Sequence, residues 1–280
     1  MRLGQHFLRD PGMARRIAHA LALQPEDLLV EIGPGRGVMT RLLAGRCRKL
    51  VGIEVDPALA ARLESEFHNQ PGVEVLQQDI LHTDLAELCR RQAARDCYVF
   101  GNLPYYITSP ILERVLDARR SVRHASFVVQ QEVGERLAAV PETRAYGYLS
   151  VFVQCFTRPK IKFEIPSGAF SPPPKVRSAL VDLLVSPRFP DWDDIAASQF
   201  LRFAQISFAH KRKSLLNNLA PYFSRARVEG ALEELALSPR VRAEQISIEE
   251  MADLFRRLGF SHEGAPATGS AGVPSGGIRR

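Results

Sequence analysis

The 280-residue chain contains no run of about 18 apolar residues, so no membrane-spanning helix is expected. Its amino terminus, MRLGQHFLRD, lacks the apolar stretch of a secretory leader, and a cytoplasmic location is the expectation. Cysteine is sparse. Cys47, Cys89, Cys97 and Cys155 form no C-x-x-C pair and no Cys/His cluster with zinc-ligand spacing, so reduced structural thiols and no bound metal are expected. No internal repeat is present. Neither sign of charge dominates: 37 Lys and Arg against 31 Asp and Glu leave +6. That mild basicity permits a polyanionic partner without requiring one.

What is present is an alternation of short apolar runs with helical patterns. LLVEI (28–32), KLVGIE (49–54), VEVLQ (73–77), CYVFGN (97–102) and HASFVVQ (124–130) read as strands, each followed by a segment of helical spacing. Such alternation implies a mostly parallel, doubly wound α/β sheet. After about residue 157, KIKFEI and SALVDLLV add two strands, for seven in all. The proline-stiffened PSGAFSPPPKV between them points to a hairpin-like pair at one sheet edge. From Asp191 to about Phe260 only helices are read, including one over KRKSLLNNLAPYF. The domains expected are therefore an α/β domain at 1–187, a helical domain at 188–260 and a tail at 261–280. The tail, rich in Gly, Ala, Pro and Ser, is too poor in apolar residues to fold.

Polar ligand groups fall at strand ends. Gly33, Gly35 and Gly37 follow the first strand and open a helix, a turn through which a ligand can approach the backbone. The G-x-G-x-G spacing departs from the dinucleotide fingerprint, and by itself also fits a tight turn without a ligand. Glu54 ends the second strand, where a carboxylate can accept from a ribose diol of any adenosine-containing cofactor. Asp79 ends the third, placed either to accept from an adenine amine or to cap the next helix. Asn102 ends the fourth and begins Asn-Leu-Pro-Tyr. Its side-chain oxygen and the carbonyl of Leu103 make two acceptors for an exocyclic amine. They draw the nitrogen toward a tetrahedral shape and aim its lone pair at a methyl donor. Pro104 fixes the chain direction, so the acceptors need little reorganisation. Tyr105 offers a flat face to an unstacked base.

GQHFL, EIGPGRG, GIEVD, QQDIL, GNLPYY, YGYLSVFVQ and FSPPPKVRSAL occur in this order. Together they resemble the bacterial small-subunit ribosomal RNA adenine N6,N6-dimethyltransferases, the KsgA/RsmA family, over about residues 1–258. The resemblance implies a class I (Rossmann-like) S-adenosylmethionine-dependent enzyme. Its substrate would be two adjacent adenosines in the 3′-terminal hairpin loop of small-subunit (16S) rRNA within immature 30S particles. It also implies cofactor contacts from His6 and Leu8 in an N-terminal arm, and from Gly33, Gly35, Glu54, Asp79 and Asn102. His6 stands where asparagine is usual. Phe170 matches an aromatic facing the flipped base opposite Tyr105, while Tyr106 carries no assigned role. Arg202, Lys211, Arg212 and Lys213 match a basic region that contacts RNA. The expected state is a monomer. Rival readings are a large-subunit rRNA adenine methyltransferase of the antibiotic-resistance type, a DNA adenine methyltransferase, and an assembly-factor module whose methylation is incidental.

Overall fold

The computed structural model describes residues 6–92 and 97–260, so the expected tail at 261–280 lies outside the described residues. The chain divides into two compact units between Pro190 and Asp191.

The first unit opens with β1 (Phe7–Leu8) and α1 (Pro11–Ala20). Asp10 starts the helix by accepting from the Met13 N–H at 2.7 Å, with proline in the first turn where no N–H is needed. There follow β2 (Leu28–Ile32), α2 (Val38–Leu43), β3 (Lys49–Glu54), α3 (Pro57–Phe67), β4 (Val73–Gln77), α4 (Leu85–Arg91), β5 (Cys97–Asn102), α5 (Thr108–Asp117), β6 (Val122–Gln130), α6 (Gln131–Leu137) and α7 (Tyr148–Phe156). The unit ends with β7 (Thr157–Ile165), β8 (Phe170–Ser171) and β9 (Ser178–Val185).

Seven strands form one sheet in the order β4-β3-β2-β5-β6-β9-β7. The first five run parallel; β9 is antiparallel to both β6 and β7. All of β2 is buried, which explains why it reads as an apolar run interrupted only by Glu31 rather than as an alternating one. The prolines of the 166–174 segment do join two strands at a sheet edge, as the sequence predicts. The strand order reverses between β2 and β5, and in open α/β sheets ligands bind beyond the carboxyl ends at such a point. Here those ends carry the glycine turn and Asn102.

One sheet face bears Leu29, Tyr98, Phe100, Val128 and Leu180 and packs against α1 and the arm, through Leu8, Ala14, Ile17, Ala18 and Leu21. The arm is held as a separate two-stranded sheet, with β1 antiparallel to β8.

The second unit consists of α8 (Asp194–Ser207), α9 (Leu215–Leu219), α10 (Arg225–Glu234) and α11 (Ile248–Leu258). Aromatic rings form its core: Phe255 lies 5.8 Å from both Phe200 and Phe203. The helix predicted over KRKSLLNNLAPYF is shorter than expected. Ser214 caps it by accepting from Asn217, so Lys211, Arg212 and Lys213 lie in the preceding turn. Among the described residues no helix is long and apolar enough to cross a membrane, and no His, Cys, Asp and Glu gather as a metal-holding group.

Candidate active site

A cleft at the switch point is lined by His6, Phe7, Gly33, Gly35, Glu54 and the run Asn102–Tyr105. It encloses about 480 Å³ of non-protein space, part of it open to solvent. The turn after β2 shapes one wall. Gly33 and Gly35 have φ of +64° and +58°, values that disfavour any side chain. A Cβ on Gly33 would meet no atom within 4 Å and would project into open space, whereas one on Gly35 would press on the Phe7 ring at 3.0 Å. The turn is tied to β3 twice: Gly33 N–H donates to the Ile53 carbonyl at 2.9 Å, and Gly35 N–H to Glu54 Oε2 at 2.9 Å.

Glu54 is 2% exposed, and its other oxygen, Oε1, accepts from Asp56 N–H at 3.0 Å. Two backbone donors therefore satisfy the buried carboxylate and hold it in place. Each oxygen keeps a second lone pair, so the group can still accept from a pair of hydroxyls. The open cradle over Gly33 and a prefixed carboxylate with spare acceptor capacity fit an adenosine-containing cofactor.

Asn102 stands at the tip of β5, beside the glycine turn on the neighbouring strand. Its Nδ2 donates to the His6 carbonyl at 2.9 Å. A carbonyl can only accept, so this contact fixes which way the amide faces and leaves Oδ1 as the atom not engaged by the arm. Leu103 N–H donates to the Val128 carbonyl at 3.0 Å, anchoring the segment to β6. The Pro104 carbonyl accepts from Ile107 N–H and Thr108 Oγ1, both at 3.2 Å, so the turn runs directly into α5. Tyr105 bonds Ser178 Oγ at 2.9 Å; burial raises the phenol's pKa, and the Ser178 contact opposes that rise. The His6 ring lies 5.5 Å from the Tyr105 ring, and its Nδ1 is 2.7 Å from the Pro172 carbonyl.

Of the sequence-derived candidates, His6, Gly33, Gly35, Glu54, Asn102, Leu103, Pro104 and Tyr105 come together in this cleft. Others do not line it. Leu8, in the arm itself, is buried in the core cluster and pairs with Phe170. Phe170 is 3% exposed and belongs to the core cluster, so in this arrangement its ring packs the arm and presents no face to a base. Asp79 caps the following turn through Oδ1, which accepts from Leu81 N–H at 2.9 Å, while Oδ2 faces His82 at 3.3 Å. Tyr106 is 61% exposed. In the second unit Lys211, Arg212 and Lys213 are exposed, while Arg202 is half-buried and bonds Gln205 at 2.7 Å.

Phe7 and Ser178 were not singled out in the sequence. Phe7 adjoins His6 and carries the Arg36 guanidinium 4.7 Å above its ring. Its aromatic character beside a candidate arm residue was the available signal. Ser178 had none, because its partner Tyr105 lies 73 residues away.

The family model described as ribosomal RNA adenine dimethylase matches residues 1–259. Curated relatives named ribosomal RNA small subunit methyltransferase A include that of Acidobacterium capsulatum, 40% identical over 258 residues, covering 92% of this chain and 90% of the relative. The protein of that name from Chlorobium chlorochromatii is 39% identical over 254 residues, with 91% of each chain covered. Among solved structures, the 23S rRNA methyltransferase ErmE aligns with a TM-score of 0.70 at 28% identity, covering 90% of this chain and 99% of that one. A dimethyladenosine transferase from Plasmodium falciparum shares the fold at a TM-score of 0.76 and 22% identity, covering 91% and 99%. The chain belongs to the ribosomal RNA adenine dimethylase family.

Proposed function

We propose that this enzyme uses S-adenosylmethionine to dimethylate N6 of two adjacent adenosines in the 3′-terminal hairpin loop of small-subunit rRNA, acting on immature 30S particles as a cytoplasmic monomer. The observation that supports the reading is the Asn102 amide, turned by the His6 carbonyl so that Oδ1 is left for a substrate, in the same cleft as the glycine turn and Glu54.

When bound, the cofactor supplies an electrophilic methyl on a sulfonium. The protein's part is positioning and electrostatics. Asn102 Oδ1 and the Leu103 carbonyl accept the two amino hydrogens, and the nitrogen lone pair, freed from the ring, points at the methyl carbon. Transfer of that methyl would leave a neutral thioether, and the nitrogen that receives it would lose its proton to water, so the chain need supply no base. Glu54 would accept from the cofactor ribose, and Gly33 and Gly35 would let the cofactor approach the backbone, with His6 of the arm beside it and Leu8 anchoring the arm in the core. Asp79, just beyond β4, caps with Oδ1 and would offer Oδ2 to the adenine amine. Tyr105 supports the extruded base. Lys211, Arg212 and Lys213, with Arg202, meet RNA phosphates from the helical unit.

Mass mapping of rRNA from small-subunit particles incubated with protein and S-adenosylmethionine should show two N6,N6-dimethyladenosines. Asn102→Ala should lower kcat by about 10²-fold or more while leaving particle binding within a few-fold. Undiminished turnover would overturn the mechanism. The likeness to ErmE favours one second reading, methylation of large-subunit rRNA. Mapping both rRNAs in the same experiment separates the two.

A further inference from the structure

We infer that the exposed outer strand β7 is a second RNA-binding surface, separate from the methyl-transfer cleft, on which Arg158, Lys160 and Lys162 bind the sugar–phosphate backbone. The inference rests on the rRNA-methyltransferase reading for its choice of polyanion.

The strand TRPKIKFEI places Arg158 and Lys160 at alternate positions, so their side chains leave the same face about 6.6 Å apart along the strand. The register puts Arg158 opposite Leu184 and Lys160 opposite Asp182. The irregularity between Ile161 and Phe163 makes Lys162 the extra residue, and its Nζ turns to the same face, 4.0 Å from Asp182. Arg158, Lys160 and Lys162 are all exposed, and Leu184 beside them is 40% exposed.

This face is positive because its carboxylate is already engaged. Asp182 lies 3.0 Å from His124 Nε2 and accepts from Ser126 Oγ at 2.7 Å. Glu164, at the far end of β7, pairs with Ala179 and so lies on the other face of the sheet, where Arg177 at 2.9 Å and Gln131 at 3.2 Å hold it. Three cations thus face solvent with one shared, satisfied carboxylate among them. Beside them, between the sheet and the segment that follows α1, a groove of about 670 Å³, part of it open to solvent, is lined by Tyr98, His124 and Leu184. A row of like charges at strand spacing along an open groove matches a polymer with regularly repeated negative charge.

Edge strands also carry lysine to prevent pairing with other sheets. That purpose is served by either sign of charge, whereas phosphate binding is not. The triple charge reversal Arg158→Glu, Lys160→Glu, Lys162→Glu therefore separates the two, with the triple glutamine variant as a second probe in case the reversal disturbs folding. Binding of a small-subunit rRNA transcript is measured across a salt series without methyl donor, and thermal melts monitor the fold. Three lost phosphate contacts should lower the slope of log K against log salt by about 2 and weaken binding about tenfold near physiological salt. An unchanged slope in a variant that melts like the parent protein would overturn the inference. The same preparations are then mapped for methylation after adding S-adenosylmethionine. A parent protein that binds with the predicted slope difference but methylates no adenosine would sink the functional reading and leave this surface standing.

Discussion

Glu31 is an acid that the reaction does not use, buried in the middle of the motif that opens the cleft. It is 2% exposed and accepts from Thr40 Oγ1 at 2.7 Å. Burial pushes its pKa up to about 7; the Thr40 hydrogen bond opposes the shift and the Glu54 charge adds to it. The unfolded chain gives up this proton near pH 4.5, whereas the folded protein holds it to about 7. Stability from this group is therefore full below pH 4.5 and is lost as pH rises through 7, a total of about 3 kcal/mol. Glu31→Gln keeps an acceptor for Thr40 and removes the ionisation. Urea unfolding should find the variant up to about 3 kcal/mol more stable than the parent at pH 8 and equal to it at pH 4.5. Equal stability at pH 8 would show that the carboxyl is not held neutral. The sequence displays Glu31 only as one residue of a strand-like run. Its proton affinity comes from burial on both sides of a central strand, and no single segment reveals that.

Among the elements, the arm explains most about what was legible. Parallel strands buried on both faces read clearly as apolar runs ended by Gly, Asn or Asp, and β2, α2 and α3 lie where their spacing predicts. β1 has two residues, too few for any period, and its partner β8 lies more than 160 positions away. The helix α7 escaped because its sequence, YLSVFVQCF, is apolar nearly all round and shows no polar face. Phe170 was recognisable as an aromatic near the site, but whether it faces the cleft or the core depends on the β1–β8 pairing. That arm is fastened at several points: Arg9 and Asp10 N–H both reach the Ala169 carbonyl, at 2.8 and 3.1 Å, and His6 reaches Pro172 and Asn102. Phe7 is the part that covers the glycine turn. Phe7→Ala removes a half-buried ring, which should weaken S-adenosylmethionine binding about tenfold, about 1.4 kcal/mol, with little change in melting temperature. Calorimetric titration decides it, since unaltered affinity would remove the arm from the cofactor site.

At the scale of the whole molecule, the +6 net charge says little until the structure shows where the cations sit. The α/β order and the helical character of residues 191–260 were readable because helix and strand periods differ. The extent of each helix was not, and this matters for Lys211, Arg212 and Lys213. A helix would spread three consecutive residues around its axis at about 100° intervals. The turn before the Ser214 cap instead leaves all three exposed at one short bend. A bend of this kind can bring its charges to one stretch of phosphate backbone. Replacing all three with alanine should lower the salt slope of rRNA binding by about 2, with kcat at saturating RNA near that of the parent. Sites that share no partners contribute additively in free energy. Joined to the β7 glutamine substitutions, the sixfold variant should therefore lose about 4 from the slope. A combined loss no greater than either triple alone would mean that the two sets compete for the same phosphates, and an unaltered slope in the alanine variant would return the cluster to solvent.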